Sequence, residues 1–190
     1  MKKMALVFLA TVFAVSAVCA AEEVEDYSST LNVFKDSPVV AEFFKNSYGY
    51  AVFPTIGKAG FVVGGSYGKG QVYVNGKVTG KTTMVEGSIG FQAGGTAFSE
   101  IIFFEDKRAY DEFTSGNFEF DATAQAIAIT AGAEAKAGTA GQSAGASAGP
   151  KIGVQATTGY YKGMATFVQS KGGLMYEISI GGQKFTFEPI

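Results

Sequence analysis

The chain has 190 residues, with 15 Lys and Arg against 17 Asp and Glu, 26 Gly, one Cys and no His. Without His, and with its one thiol at Cys19, it has no means of building a Ser-His-Asp or Cys-His mechanism and lacks the usual zinc ligands. The net charge of −2 excludes the broad positive field that nucleic acid requires, so no nucleic-acid partner is expected.

The first 20 residues, MKKMALVFLATVFAVSAVCA, set Lys2 and Lys3 ahead of an apolar run that closes on Val18, Cys19 and Ala20. That is the pattern of a secretory signal peptide, with a mature start at Ala21. Removing it leaves 13 basic against 17 acidic residues, a net charge of −4. A lipoprotein leader would place a small residue before its Cys, and Val18 is larger. Plain cleavage is therefore the favoured reading, with lipid anchoring through Cys19 as the alternative. The remaining 170 residues suffice for one domain with a sizeable core.

Residues 21–37 read as an N-terminal helical segment, because Val24, Tyr27, Leu31 and Phe34 recur at helical spacing. A second helix is expected to start at the N-cap Ser37 with Pro38 in its first turn, its apolar side formed by Val39, Val40, Phe43 and Phe44. From Tyr50 the period changes to two. In FVVGGSYGKGQVYV, Phe61, Val63, Tyr67 and Tyr73 share one strand face, and Gly64, Ser66, Gly68 and Gly70 share the other. So bare a face invites close approach by another segment, and the small side chains of Ala122, Ala124, Ala126 and Ala128 are the expected partner. Further strands are expected at 87–99, 101–104, around 160–169, and in LMYEISI and QKFTF, the last two joined by a turn at Gly181-Gly182. DKRAYDEF, capped by Asp106, reads as a short helix, and the small-residue stretch 130–150 as a mobile loop.

Three motifs mimic enzymes. NGKVTGKTT resembles a phosphate loop, but Asn75 stands where its first Gly belongs, and Asn75-Gly76 is the dipeptide of a two-residue hairpin. G-x-S-x-G occurs around Ser66, Ser143 and Ser147, as a glycine-rich composition produces, with no His to activate any of them. Ser66 and Lys69 have S-x-x-K spacing, yet in a strand positions three apart point to opposite faces.

The run YGYAVFPTIGKAGFVVGGSYGKGQVYVNG, followed by GSIGFQAGG, IIFFEDKRAYDEF and SKGGLMYEISIGGQKF, resembles the SYLF domain of bacterial envelope and eukaryotic phosphoinositide-binding proteins. The likeness covers residues 38–190 and is most specific from Ala51 to Gly70. It implies a non-catalytic lipid-binding module with affinity for anionic phospholipid headgroups, in which Lys58, Lys69, Lys77 and Lys81 would meet phosphates and Tyr67 and Tyr73 would act as interfacial aromatics. Eukaryotic members use a basic amphipathic N-terminal helix, whereas the helices here carry Glu25, Asp26, Asp36 and Glu42.

The expected fold is α+β: a mainly antiparallel, strongly coiled or barrel-like β-sheet with N-terminal helices and one short internal helix. The expected protein is exported, periplasmic or peripherally membrane-associated, with an anionic phospholipid or membrane surface as partner and no cofactor, metal or catalytic residue. Two other readings are a small outer-membrane β-barrel and an envelope module that binds a protein partner through exposed strand edges or the 130–150 loop.

Overall fold

A computed structural model describes residues 24–60, 63–89, 94–121, 124, 126–129, 159–172 and 180–190. The leader with Cys19, the 130–150 loop and most of LMYEISI lie outside them. The fold is α+β. After α1 (Ser28–Lys35) and α2 (Pro38–Asn46), the chain forms β1 (Gly49–Gly60), β2 (Val63–Val74), β3 (Lys77–Ile89) and β4 (Gly94–Phe104). Then come α3 (Lys107–Phe113), β5 (Phe118–Glu119), β6 (Ile127–Ile129), β7 (Met164–Gly172) and β8 (Lys184–Pro189). The strands build one sheet in the order β5-β8-β3-β2-β1-β4-β7-β6, antiparallel except for the parallel β6–β7 pair.

The sheet cannot be flat. Seven intervals between eight flat strands would hold its edges roughly 34 Å apart. Yet β5 and β6 are those edges, and the eight residue steps from Glu119 to Ile127 span about 27 Å when fully extended. The sheet therefore curls into an open half-barrel, with Phe120 and Ala124 from between β5 and β6 buried against its inside. The inner core consists of Ala51, Phe53, Ile56, Val72, Met84, Phe98, Ile102, Phe104, Met164, Val168 and Phe185, joined by Ala109 and Phe113 of α3. The expected alanine layer is met in part: Ala124 and Ala126 belong to this cluster. The room above Gly68 and Gly70, however, is taken by Ile56 and Phe53 of the adjacent strand.

The other face is buried by α1 and α2. Leu31, Phe34 and Val40 pack on Val52, Tyr73, Ile101, Phe103, Ala165 and Phe167. Phe43 and Phe44 reach the sheet through ring contacts, with Phe43 4.9 Å from Phe167 and Phe44 4.9 Å from Phe103. The first helix is shorter than its apolar spacing predicts. An Asp26 carboxylate accepts from the Ser28 amide at 2.8 Å and sets the start at Ser28, leaving Val24 outside and 44% exposed. Ser37 sits at the N-cap of α2 with extended backbone, but its hydroxyl makes no capping bond and is buried without a partner.

Local turn chemistry places the rest. Asn75 and Gly76 both have positive φ, 50° and 74°, and turn β2 into β3, so NGKVTGKTT is a hairpin. Asp106 caps α3 by accepting from the Ala109 amide at 2.8 Å. The stretch 87–99, expected as one strand, contributes instead to the end of β3 and the start of β4, which continues through Phe104. Among the described residues no helix is long and apolar enough to cross a membrane.

The glycines give a direct test of this packing. A Cβ on Gly70 would lie 2.6 Å from the Val52 carbonyl oxygen and 2.7 Å from the Phe53 ring, whereas a Cβ on Gly57 meets nothing within 4 Å. Gly70→Ala is expected to lower unfolding stability by about 1–3 kcal/mol through overpacking. Gly57→Ala should be neutral or stabilising by up to about 1 kcal/mol. Urea denaturation of the two variants measures both.

Candidate functional site

Strand register distributes the six residues that the sequence singles out. Tyr67 pairs with Val85, Lys69 with Thr83 and Gln71 with Lys81 across β2–β3, so Tyr67, Lys69 and Lys81 share one face. Tyr73 lies further along the same face. β8 continues it, with Lys184 opposite Val85 and Thr186 opposite Thr83. This is the face that carries α1 and α2 at its Tyr73 end, but Tyr67 and Val85 stay 51% and 45% exposed. Lys69 is exposed and Lys81 half-buried.

The other candidates are elsewhere. Lys58 turns to the inside, where its Nζ lies 3.3 Å from Glu86 Oε1 and is largely covered. Lys77 follows the hairpin turn, exposed at the far end of the strands. Tyr73 is buried, stacked on Tyr50 with ring centroids 5.0 Å apart. Its hydroxyl donates to Gln71 Oε1 at 2.6 Å, and burial first, then the nearby Tyr50 and Asp26, pushes its pKa up to about 12. Alternation gave Tyr67 and Tyr73 the same face. The helices cover only the second.

Charge compensation separates the lysines again. Lys45, Lys58, Lys107, Lys162 and Lys184 each have a carboxylate partner. Lys69 makes no hydrogen bond or ion pair among the described residues. Lys171, which the sequence reading did not single out, donates to Thr55 Oγ1 at 2.8 Å, and Thr55 is the register partner of Lys69. Lys69, by strand register, and Lys171, by a hydrogen bond, thus both neighbour Thr55, beside the irregular register of β1 between Val52 and Thr55. Nothing local to SKGG signals this, since 116 positions separate the bonded side chains.

Next to them is a cleft of about 310 Å³, lined by Glu25, Tyr27, Pro54, Thr55, Tyr67, Gly68 and Lys69. The segment leading into α1 forms its rim, held by the Gln71 side-chain amide, which donates to the Glu25 carbonyl at 2.9 Å. Burial first, then the Glu25 carboxylate and the hydrogen bond it accepts, pushes the Tyr27 phenol up to about 12.

The inside of the curl is polar at one place. Ser66 Oγ donates to Glu86 Oε2 at 3.2 Å, so Ser66 and Lys69 lie on opposite faces and form no dyad. Glu100 is fully buried on the inner face and accepts from Gln183 Nε2 at 3.2 Å, while Glu100 Oε1 and Gln183 Oε1 have no partner. Burial pushes the Glu100 pKa up to about 8; the Gln183 bond opposes this and the negative Glu86 adds to it. Among the described residues no group of three His, Cys, Asp or Glu side chains could hold a metal ion.

The raised Glu100 value has a definite sign. A carboxyl with a folded pKa near 8 and an unfolded value of 4.5 holds its proton more tightly when folded, so stability falls as pH rises between those values. The slope is at most about 1.4 kcal/mol per pH unit. Glu100→Gln should abolish that slope, leaving the variant relatively more stable at pH 8 than at pH 5. Chemical denaturation of both proteins at the two pH values checks it.

No protein-family model matches the chain. It is 29% identical over 161 residues to "Beta cell expansion factor A" of Aeromonas veronii, an alignment covering 83% of this chain and 52% of that protein. The chain spans about half the length of the curated relative it matches.

Proposed function

We propose that the chain is an exported, non-catalytic phospholipid-binding protein of the cell envelope, of SYLF type, which recognises anionic lipid headgroups. The observation that carries this reading is the uncovered part of the β2–β3–β8 face. There Tyr67 and Val85 are exposed and apolar, Lys69 has no charged partner among the described residues, and Lys81 lies alongside. Lys171 adds a second lysine, bonded to the hydroxyl of Thr55, the register partner of Lys69. Each lysine near an anionic surface contributes about 1 kcal/mol, so binding is weak and salt-dependent, and the two apolar side chains add a component that salt does not screen. This local cluster matters more than the net charge of −2, because at physiological ionic strength fields fade beyond about 8 Å. The acidic N-terminal helices are packed on the sheet.

Vesicle sedimentation tests the reading. The protein should pellet with vesicles containing phosphatidylglycerol at low salt and be released by roughly 0.5 M salt, well above the ionic strength at which the screening length is about 10 Å. Lys69→Glu together with Lys171→Glu should weaken pelleting several-fold without changing the unfolding midpoint. Equal recovery in the supernatant with and without lipid would sink the proposal.

A further inference from the structure

The cleft beside Lys69 has two unlike walls. One side carries Lys69 and its register partner Thr55, whose hydroxyl accepts from Lys171 at the margin of the lining, with no carboxylate paired to either lysine among the described residues. On the other side lies Glu25, whose backbone is fixed by the Gln71 bond at 2.9 Å and whose carboxylate meets the Tyr27 phenol. Tyr67, half-exposed, completes the lining between them. A bare phosphate would be drawn to the lysines and repelled by Glu25. A small zwitterion with an anionic end and a cationic end separated by a few bonds satisfies both walls, and aromatic side chains in the lining, Tyr27 and Tyr67, suit a cationic end.

We propose that this cleft is a binding site for an amine-bearing phosphate ester of the phosphoethanolamine kind, whose phosphate is held by Lys69, Lys171 and Thr55 and whose ammonium group faces Glu25. The inference deepens the lipid-binding reading and rests on it for the source of the ligand. The cleft volume, about 310 Å³, suits a headgroup-sized molecule and leaves no room for acyl chains. A lipid would therefore enter by its head alone, with its chains remaining in the bilayer. The same chemistry could arrive as a free phosphate ester.

Backbone amide chemical shifts of Thr55, Gly68 and Lys69 report on the site directly. The purified protein is titrated with phosphoethanolamine, inorganic phosphate and ethanolamine, each to tens of millimolar. Phosphoethanolamine should shift these amides and bind more tightly than either fragment. Lys69→Ala should weaken phosphoethanolamine and phosphate alike, by roughly two- to fivefold, the range of a solvent-exposed charge contact. Glu25→Gln should weaken phosphoethanolamine by a similar factor and strengthen phosphate. Equal affinity for phosphate and phosphoethanolamine, or an unchanged response in Glu25→Gln, overturns recognition of the amine. No shift at the three amides overturns the site. Vesicles with and without phosphatidylethanolamine form the second arm. Pelleting enhanced by that lipid and reduced by Glu25→Gln marks a membrane source, whereas amide shifts with no pelleting support the site for a free ester and remove the lipid-binding reading. Pelleting on phosphatidylglycerol with no amide shifts leaves that reading standing and removes the cleft.

Discussion

The constraint on which this fold depends is that a single eight-stranded sheet has to bury both faces. Two short helices cover one face only in part, and the other is buried by curling the sheet around its own side chains. The crossing from β5 to β6 fixes that curl, because the chain between them is too short for a flat sheet. Small residues permit it. Where Gly68 and Gly70 stand in β2, the Ile56 and Phe53 side chains of β1 fill the space that a larger residue would need. A helix pair of 8 and 9 residues cannot cover all eight strands, and the strip left bare is where the exposed tyrosine and lysines collect.

Signals contained within a few residues were legible in the sequence. The Asn75-Gly76 hairpin and the Asp106 cap follow from backbone preferences that need no distant partner. Period-two alternation assigned Ser66 and Lys69 to opposite faces, and the register agrees. Coverage was not legible. Tyr67 and Tyr73 are equivalent by alternation, and only the docking of α1 and α2 makes one a surface residue and the other a core residue. Pairings across long separations were hidden for the same reason. Lys171 and Thr55 are 116 positions apart, and Glu100 and Gln183 are 83 apart.

Carboxylates decide which cations remain available. Lys58 is drawn inward by Glu86 and Lys184 is held by Glu119, so their charges are largely spent within the protein. Among the described residues Lys69 and Lys171 escape such pairing, although acidic residues outnumber basic ones in the chain. The buried Glu100 is the opposite case: a carboxyl without a cation, whose burial keeps it protonated near neutrality.

The two margins of the sheet are its shortest strands, two residues in β5 and three in β6. An extended peptide seeking to lengthen the ladder would find two residues in β5 and three in β6, and beyond each of them a step back to the outer edge of β8 or β7. Edge-to-edge stacking into fibrils, the common hazard of an open half-barrel, thus meets a stepped margin rather than one straight rail, and the Pro189 ring withholds an amide donor from the end of β8.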